Sequence, residues 1–196
     1  MDVEFLTSVF AEHQYPPPDR PEIAFAGKSN VGKSSLINTL VNRKKLAKTS
    51  SRPGRTQSIN FFSLANAMYL VDLPGYGFAR VPLNIKMSWK SMVETYLQKR
   101  KNLMAVIVIM DIRRDVSPGD LDLLRWLNQY NINAVPVLTK ADKLSRQQAG
   151  NRLRLIRKQF SGLSVDTPLV FSAKTSLGRE EIWKKIGQIT GFESKI

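Results

Sequence analysis

The residues best suited to chemistry lie in one short segment, Gly27 to Ser34, which reads Gly-Lys-Ser-Asn-Val-Gly-Lys-Ser. This is the G-x-x-x-x-G-K-S/T pattern of a phosphate-binding loop. Its glycines let successive backbone N–H groups face a phosphate chain, Lys33 reaches the β and γ phosphates, and the serine hydroxyl ligates magnesium. An apolar run at 23–26 precedes the loop and an apolar pattern at 36–40 follows it, which predicts strand, loop and helix in that order. We therefore expect a nucleotide phosphate site at a helix N-terminus.

A second motif, Asp72-Leu-Pro-Gly75, ends a strand-like apolar run at 68–72. In nucleotide switches an aspartate at this point holds magnesium through a water molecule, and the glycine N–H contacts the γ-phosphate. Taken alone, the motif is also an ordinary turn, because proline and glycine favour turn positions. Its place after a phosphate loop favours the nucleotide interpretation.

Two further motifs have the chemistry to recognise a base. Thr139-Lys-Ala-Asp142 follows a β-rich run, and the Asp142 carboxylate can accept hydrogen bonds from the ring N–H and amino group of guanine, while the Lys140 stem covers the base plane. Ser172-Ala-Lys174 follows another strand-like run and can present the Ala173 N–H to the guanine carbonyl. Every motif follows a predicted strand, at the sheet edge where open α/β sheets place ligands.

In their order and wording these motifs resemble those of the EngB family (also called YihA or YsxC), bacterial ribosome-biogenesis GTPases related to the translation factors. The resemblance covers nearly the whole chain. Its most specific strings are those at 27–35, at 52–57 with 59–62, at 72–77 and at 139–142, and the threonine at 139, where most GTPases carry asparagine, is similar to this family.

The resemblance implies a set of site residues. Thr56 would be the switch threonine that joins Ser34 on magnesium and contacts the γ-phosphate; without the resemblance it is only a hydroxyl in a basic loop. Catalytic roles are predicted for Lys33, Thr56, Gly75 and Asn30, and magnesium ligation for Ser34, Thr56 and, through water, Asp72. The predicted nucleotide-binding residues, which take GTP or GDP, are Gly27, Lys28, Ser29, Asn30, Val31, Gly32, Lys33, Ser34, Ser35, Gly54, Arg55, Thr56, Gln57, Ser58, Asp72, Leu73, Pro74, Gly75, Thr139, Lys140, Ala141, Asp142, Phe171, Ser172, Ala173 and Lys174.

Strand-like and helix-like segments alternate along the chain, which predicts an α/β fold. We expect a single Ras-like P-loop GTPase domain at 21–196, with a mostly parallel six-stranded sheet, one antiparallel edge pair and helices on both faces. The antiparallel pair is a hairpin around Ala65-Asn66, and the apolar run at 103–110 is a central strand buried on both faces. Residues 1–20, with three consecutive prolines, are predicted to be an arm packed on this domain.

Hydrolysis is predicted to be slow, because Tyr76 stands where the best-known small GTPases have the glutamine that orients water. Two hypotheses supply the missing catalysis. In one, Asn30 helps to bind a potassium ion in place of an arginine finger; the same residue is equally explained as a loop asparagine with local backbone bonds. In the other, a partner inserts a group, a contribution on the order of 10³ to 10⁵ in rate where arginine fingers act.

Composition bears on partners and location. The 30 Lys and Arg outnumber 16 Asp and Glu, for a net charge of +14 and a pI near 10.2, a strong nucleic-acid signature. The basic clusters lie at 43–45, 99–101, 113–114 and 152–158. No base-reading module is present, which favours contact with the backbone of a folded RNA. The resemblance names the partner as the large ribosomal subunit precursor, its rRNA and ribosomal proteins, with a link to cell division and septation.

No apolar run approaches the roughly 20 residues of a membrane span. The chain has no cysteine, and its N-terminus does not read as a secretion signal. We therefore expect a cytoplasmic monomer. Two other functions stay open: an ATP-using phosphotransferase on the same loop, against which Asp142 argues, and an RNA-binding or division-site scaffold that uses GTP as a structural ligand.

Overall fold

The computed structural model describes residues 2–43, 46–47, 58–76 and 83–193, except for the side chains of 83–89. Within these residues seven strands form one sheet: β1 (Val3–Val9), β2 (Glu22–Gly27), β3 (Ile59–Leu64), β4 (Met68–Asp72), β5 (Leu103–Asp111), β6 (Ala134–Thr139) and β7 (Leu169–Val170). The helices of the same residues are α1 (Lys33–Leu40), α2 (Leu83–Lys99), α3 (Pro118–Gln129), α4 (Arg146–Gln159) and α5 (Arg179–Thr190).

The strands lie in the order β1-β3-β4-β2-β5-β6-β7. Only β3 runs against its neighbours, pairing antiparallel with both β1 and β4, while the other contacts are parallel. The carboxyl ends of β2, β4, β5, β6 and β7 consequently meet at one edge of the sheet. The predicted α/β class and the antiparallel pair are confirmed.

The sheet has seven strands where six were predicted. The additional strand is β1, which belongs to the segment interpreted as an arm and pairs with β3 over Val3–Leu64 to Val9–Ile59. The predicted hairpin joins β3 to β4, and its turn residues Ala65 and Asn66 have φ of 49° and 56°. Two successive left-handed residues suit the twist of a hairpin.

Apolar residues cover both faces of the sheet. One face packs against α1 and α5, and the Arg179 and Trp183 side chains of α5 donate to the Leu40 carbonyl at the end of α1. The other face packs against α3, α4 and the end of α2. Strand β5 lies between two parallel strands and is buried from Ala105 onward, as predicted for a run with no polar face.

A buried cluster of charged and polar side chains lies at the amino end of β2. The Glu22 carboxylate has no exposed surface and accepts hydrogen bonds from Tyr96 at 2.8 Å, Arg100 at 2.9 Å and Asn102 at 3.1 Å. The Arg100 guanidinium also lies over the ring of Tyr15, at 5.6 Å from its centroid. Through this cation–π contact, Arg100 joins the amino-terminal segment to the main sheet, while its charge-assisted hydrogen bond holds Glu22.

Candidate functional site

The loop between β2 and α1 has the backbone of a phosphate cradle. Gly32 has φ of 107° and Asn30 of 63°, so the loop turns through left-handed conformations just before the helix begins at Lys33. Gly27 allows close packing, because a Cβ at that position would lie 2.9 Å from the Ile109 carbonyl oxygen. Glycine is therefore required at both ends of the loop, and the loop leads into a helix N-terminus, where anions are favoured.

Lys33 and Asp72 come together because β2 and β4 are parallel neighbours. The Lys33 ammonium forms an ion pair with the Asp72 carboxylate, and both side chains are almost fully buried. The two groups predicted to meet a triphosphate and its metal thus already face one another. Ser34 lies next to Lys33 in the first turn of α1.

The segment after Asp72 crosses the phosphate loop. The Tyr76 N–H donates to the Gly27 carbonyl at 3.4 Å, and a Cβ at Gly75 would lie 3.3 Å from Ser29 Oγ. Ser29 Oγ is buried and has no hydrogen-bond partner among the described residues. A buried hydroxyl without a partner is costly. This loop therefore fits a phosphate group, which would supply the missing acceptor, and with it the magnesium ion that accompanies a nucleotide.

The base motifs meet through hydrogen bonds between β6 and β7. The Asp142 carboxylate accepts from Ser172 Oγ at 2.8 Å, and this bond lowers the pKa of Asp142 below its usual value. The Ala141 N–H donates to the Phe171 carbonyl at 3.1 Å. The Ala173 N–H is exposed and finds no acceptor in the described part of the chain. The ionised Asp142 carboxylate and the Ala173 N–H donor therefore lie at the same carboxyl edge of the sheet.

Lys140 forms an ion pair with Asp111, a residue for which the sequence predicted no role. Its ammonium donates to the Asn30 carbonyl at 2.7 Å and lies 3.0 Å from Asp111, at the end of β5. Burial would raise the pKa of Asp111, but hydrogen bonds from Arg113 and Lys140 outweigh it and lower the pKa to about 2. A permanent carboxylate thus positions the lysine predicted to cover the base. In the sequence, the signal that could have identified Asp111 was its position directly after the apolar run predicted to be a central strand.

Thr139 connects the phosphate loop to the sheet. Its Oγ1 lies 2.5 Å from the Val31 carbonyl oxygen and 3.0 Å from that of Met110, and its side chain is buried. The hydroxyl therefore joins the loop to β5 from the end of β6. The threonine at this position therefore has a structural explanation, because its hydroxyl holds the phosphate loop against the sheet.

The side chain of Tyr76 is anchored to the start of helix α3. Its hydroxyl donates to Asp120 Oδ1 at 2.8 Å, and Ser117 donates to the other carboxylate oxygen at the start of α3. Burial and the Asp120 charge raise the pKa of Tyr76 far above its usual value. The tyrosine is therefore a neutral hydrogen-bond donor fixed to α3.

The structure brings the predicted groups of Lys33, Asp72, Thr139 and Asp142 to the carboxyl edge of the sheet. Gly54, Arg55, Thr56 and Gln57 lie outside the described residues. Ser58 leads into β3, whose start lies beside the end of β4 because Asn60 pairs with Asp72. The remaining predicted residues divide by burial: the side chains of Val31, Leu73, Pro74, Ala141 and Phe171 are buried, whereas those of Lys28, Ser35 and Lys174 retain exposure.

A parallel α/β sheet that carries a phosphate loop, an aspartate at the end of the neighbouring strand and a carboxylate for a base is the domain of a P-loop GTPase. Comparison with known proteins agrees. The profile of a family described as "50S ribosome-binding GTPase" matches residues 22–140.

Curated relatives cover almost the whole chain. The chain is 52% identical over 183 residues to the "Probable GTP-binding protein EngB" of Geobacter metallireducens, covering 93% of this chain and 89% of that protein. It is also 52% identical over 189 residues to the protein of the same name from Syntrophus aciditrophicus, covering 96% and 95%. A crystal structure of a probable GTP-binding protein EngB has the same fold, with a TM-score of 0.70 at 24% identity, covering 87% of this chain and 98% of that one. The chain therefore belongs to the EngB family, and it is a GTPase.

No helix in the described residues is long and apolar enough to cross a bilayer.

Proposed function

We propose that this GTPase is a magnesium-dependent switch that assists assembly of the large ribosomal subunit. The observation that carries the proposal is the convergence of the phosphate loop, Asp72 and Asp142 on one sheet edge of a chain with a net charge of +14. The description of its family as ribosome-binding supports the choice of partner. We place the protein in the cytoplasm as a monomer, and we attribute its link to cell division and septation to ribosome assembly.

The phosphate end of the site would hold the nucleotide through Lys33 and the loop N–H groups. Ser34 and Thr56 would ligate magnesium directly and Asp72 through water, and the metal neutralises charge on the phosphates. Gly75, which packs on the loop near Ser29, would contact the γ-phosphate through its N–H. Loss of that phosphate would release the segment that begins at Gly75.

The base end of the site would select guanine through Asp142. Ser172 favours the ionised form of this carboxylate, which is the form that accepts from the guanine ring N–H and amino group. Asp111 and the Asn30 carbonyl keep Lys140 beside the loop. Adenine offers no matching pair of donors in this arrangement, so ATP would bind poorly.

Catalysis would depend on a charge that the described residues do not supply. Tyr76 is fixed to Asp120 and cannot orient water as a glutamine does. Asn30 is exposed and left-handed in the phosphate loop, where its side chain could ligate potassium. Turnover should therefore be faster in potassium than in sodium, and Asn30→Ala should remove the difference. Equal rates in the two salts would transfer the catalytic role to a partner.

The test of the switch is co-sedimentation with ribosomal subunits and their precursors in GDP, in a non-hydrolysable GTP analogue and without nucleotide, across a salt series. The proposal predicts retention on the large subunit or its precursor only with the analogue, and no retention of the Lys33→Met variant. Equal binding in every state that vanishes with salt would contradict the proposal, because it would reduce the +14 charge to non-specific attraction for RNA.

A further inference from the structure

The four basic clusters of the chain differ in what their side chains contact. In the clusters at 99–101 and 113–114, and in part of the cluster at 152–158, a basic residue is held by an acidic partner, while Lys44 and Lys45 of the cluster at 43–45 lie outside the described residues. These pairs are Lys99 with Glu12, Arg100 with Glu22, Arg113 with Asp111 and Arg152 with Asp115. Such residues neutralise charges of the protein itself and are less available to an external anion.

Among the described residues, the cluster at 152–158, in helix α4, carries three basic side chains without an ion pair, whereas each of the other clusters has one. The helix contains five basic residues, Arg146, Arg152, Arg154, Arg157 and Lys158, and no acidic one. Arg154, Arg157 and Lys158 are exposed, and no ion pair holds any of them within the described residues. Their spacing of three and four places them on one face of the helix.

Along that face lies a shallow groove, open to solvent, with a volume of about 730 Å³, and its lining residues all belong to α4 or follow it directly: Gly150, Leu153, Arg154, Arg157, Lys158 and Ser161. The groove follows the helix for about 12 Å from Gly150 to Lys158, at the rise of an α-helix. Its wall contains three cationic side chains, a hydroxyl and one aliphatic side chain, with no aromatic ring and no carboxylate.

Gly150 contributes to the shape of this groove. Glycine in a helix interior costs roughly 1 kcal/mol relative to alanine. Neither packing nor backbone conformation explains it here, because a Cβ at position 150 would have nothing within 4 Å and its φ is not left-handed. The missing side chain instead keeps the groove open.

We propose that this α4 groove seats the phosphate backbone of an RNA strand. Arginine fits phosphate through paired N–H donors, and the excess of basic residues over the whole chain draws a polyanion. Since no aromatic ring lines the groove, bases have nothing on which to stack, and the contact is with backbone phosphate. The inference rests on the proposed ribosomal role only for the choice of RNA. None of the residues that line the groove belongs to the phosphate loop or to the base motifs.

The experiment measures binding of a short structured RNA hairpin to the full chain across a salt series. The groove variant is the triple substitution Arg154→Gln, Arg157→Gln, Lys158→Gln. The control is the triple substitution Lys101→Gln, Arg125→Gln, Lys184→Gln, which removes the same number of positive charges from exposed sites elsewhere. The groove variant should bind at least ~10-fold more weakly than the control at 0.1 M salt, with a log–log salt slope smaller by roughly 2 to 3. Gly150→Gln leaves the charge unchanged and fills the groove, so it too should weaken binding while raising thermal stability.

Equal losses in the two triple variants would overturn the proposal, and so would unchanged binding by Gly150→Gln. A difference between the triple variants seen with a polyglutamate peptide or with anionic phosphatidylserine vesicles, but not with RNA, would assign the groove to another partner and also overturn it. Hairpin binding that depends on the groove in a protein without nucleotide-gated retention on ribosomes would contradict the proposed function and leave the groove standing.

Discussion

The two ends of strand β2 both carry buried charge, but they use it differently. At the amino end, Glu22 is fully enclosed and bonded to Tyr96, Arg100 and Asn102. At the carboxyl end, Lys33 pairs with Asp72 beside a loop that contains left-handed residues and a buried serine hydroxyl without a partner among the described residues.

The difference separates stability from function. The amino-end carboxylate is satisfied by fixed protein groups, so disturbing this cluster should weaken the fold alone. The carboxyl end keeps strained backbone and an unsatisfied hydroxyl that a phosphate would complete, as expected of a binding site. Substitutions at the amino end should therefore lower thermal stability. Substitutions at the carboxyl end should instead reduce the additional stability that GTP binding provides.

The largest effect is expected at the amino end. Arg100→Met leaves the Glu22 carboxylate buried without its cation, which should lower the free energy of unfolding by about 3–5 kcal/mol and the Tm by roughly 10 °C. The additional rise in Tm on adding GTP should match that of the wild type. Lys99→Met, which removes an exposed pair with Glu12, is the control and should cost below ~1 kcal/mol. Loss of the GTP-induced rise in Arg100→Met would contradict the separation.

The reverse is expected at the carboxyl end. Lys33→Met should weaken GTP binding roughly 10- to 100-fold, the worth of a charged hydrogen bond, and reduce the GTP-induced rise in Tm accordingly. Lys28→Met, in the same loop at a variable position of the pattern, should retain most of that rise. Titration calorimetry of the folded protein measures both. An unchanged affinity in Lys33→Met would show that the loop is not the phosphate site.

Asp111→Asn tests the carboxylate that holds Lys140. Because the folded-state pKa is lowered from 3.8 to about 2, the ionised group stabilises the fold above about pH 4, and this contribution is lost as the pH falls through 2. The variant should be less stable by about 2 kcal/mol at neutral pH, with the deficit shrinking below pH 4. Urea unfolding across this range measures it. Asp115→Asn, whose side chain is 81% exposed, should show neither effect, and a deficit in Asp111→Asn independent of pH would contradict the assignment.

The smallest effect is expected at Tyr76. Tyr76→Phe removes one donor to Asp120 and should lower stability by about 1 kcal/mol. Because the hydroxyl is fixed to α3, the rate of GTP hydrolysis should stay within about twofold. Tyr130→Phe, at an exposed ring, is the control for the substitution. A large fall in turnover without a fall in stability would give the Tyr76 hydroxyl a catalytic role that its hydrogen bond does not suggest.

The phosphate loop, the strands and the hairpin could be predicted because their signals are local. Glycines frame the turn at 27–32, apolar runs mark β5 and β6, and Ala65-Asn66 separates two strand-like runs. Strand β1 was missed because an edge strand need satisfy only one neighbour and has a weak pattern. The predicted switch residue Thr56 lies outside the described residues and stays a prediction.

Contacts between distant residues could not be predicted. Glu22 and Arg100 are 78 positions apart, and Lys140 and the Asn30 carbonyl 110. Neither pair follows a spacing rule, because sheet order, and not chain order, brings them together. For the same reason the sequence could count the basic clusters, whereas the structure distinguishes Arg100, which is paired, from Arg154, which has no ion-pair partner among the described residues.

The central claim is that the carboxyl edge of the sheet recognises guanine through Asp142. The most direct measurement is the affinity of wild type and Asp142→Asn for GTP and for xanthosine triphosphate. The account predicts that the wild type prefers GTP and that the variant shifts toward xanthosine triphosphate, each by roughly 10-fold or more, the worth of a hydrogen bond to a charged group. A variant that keeps its preference for GTP would contradict the assignment of Asp142.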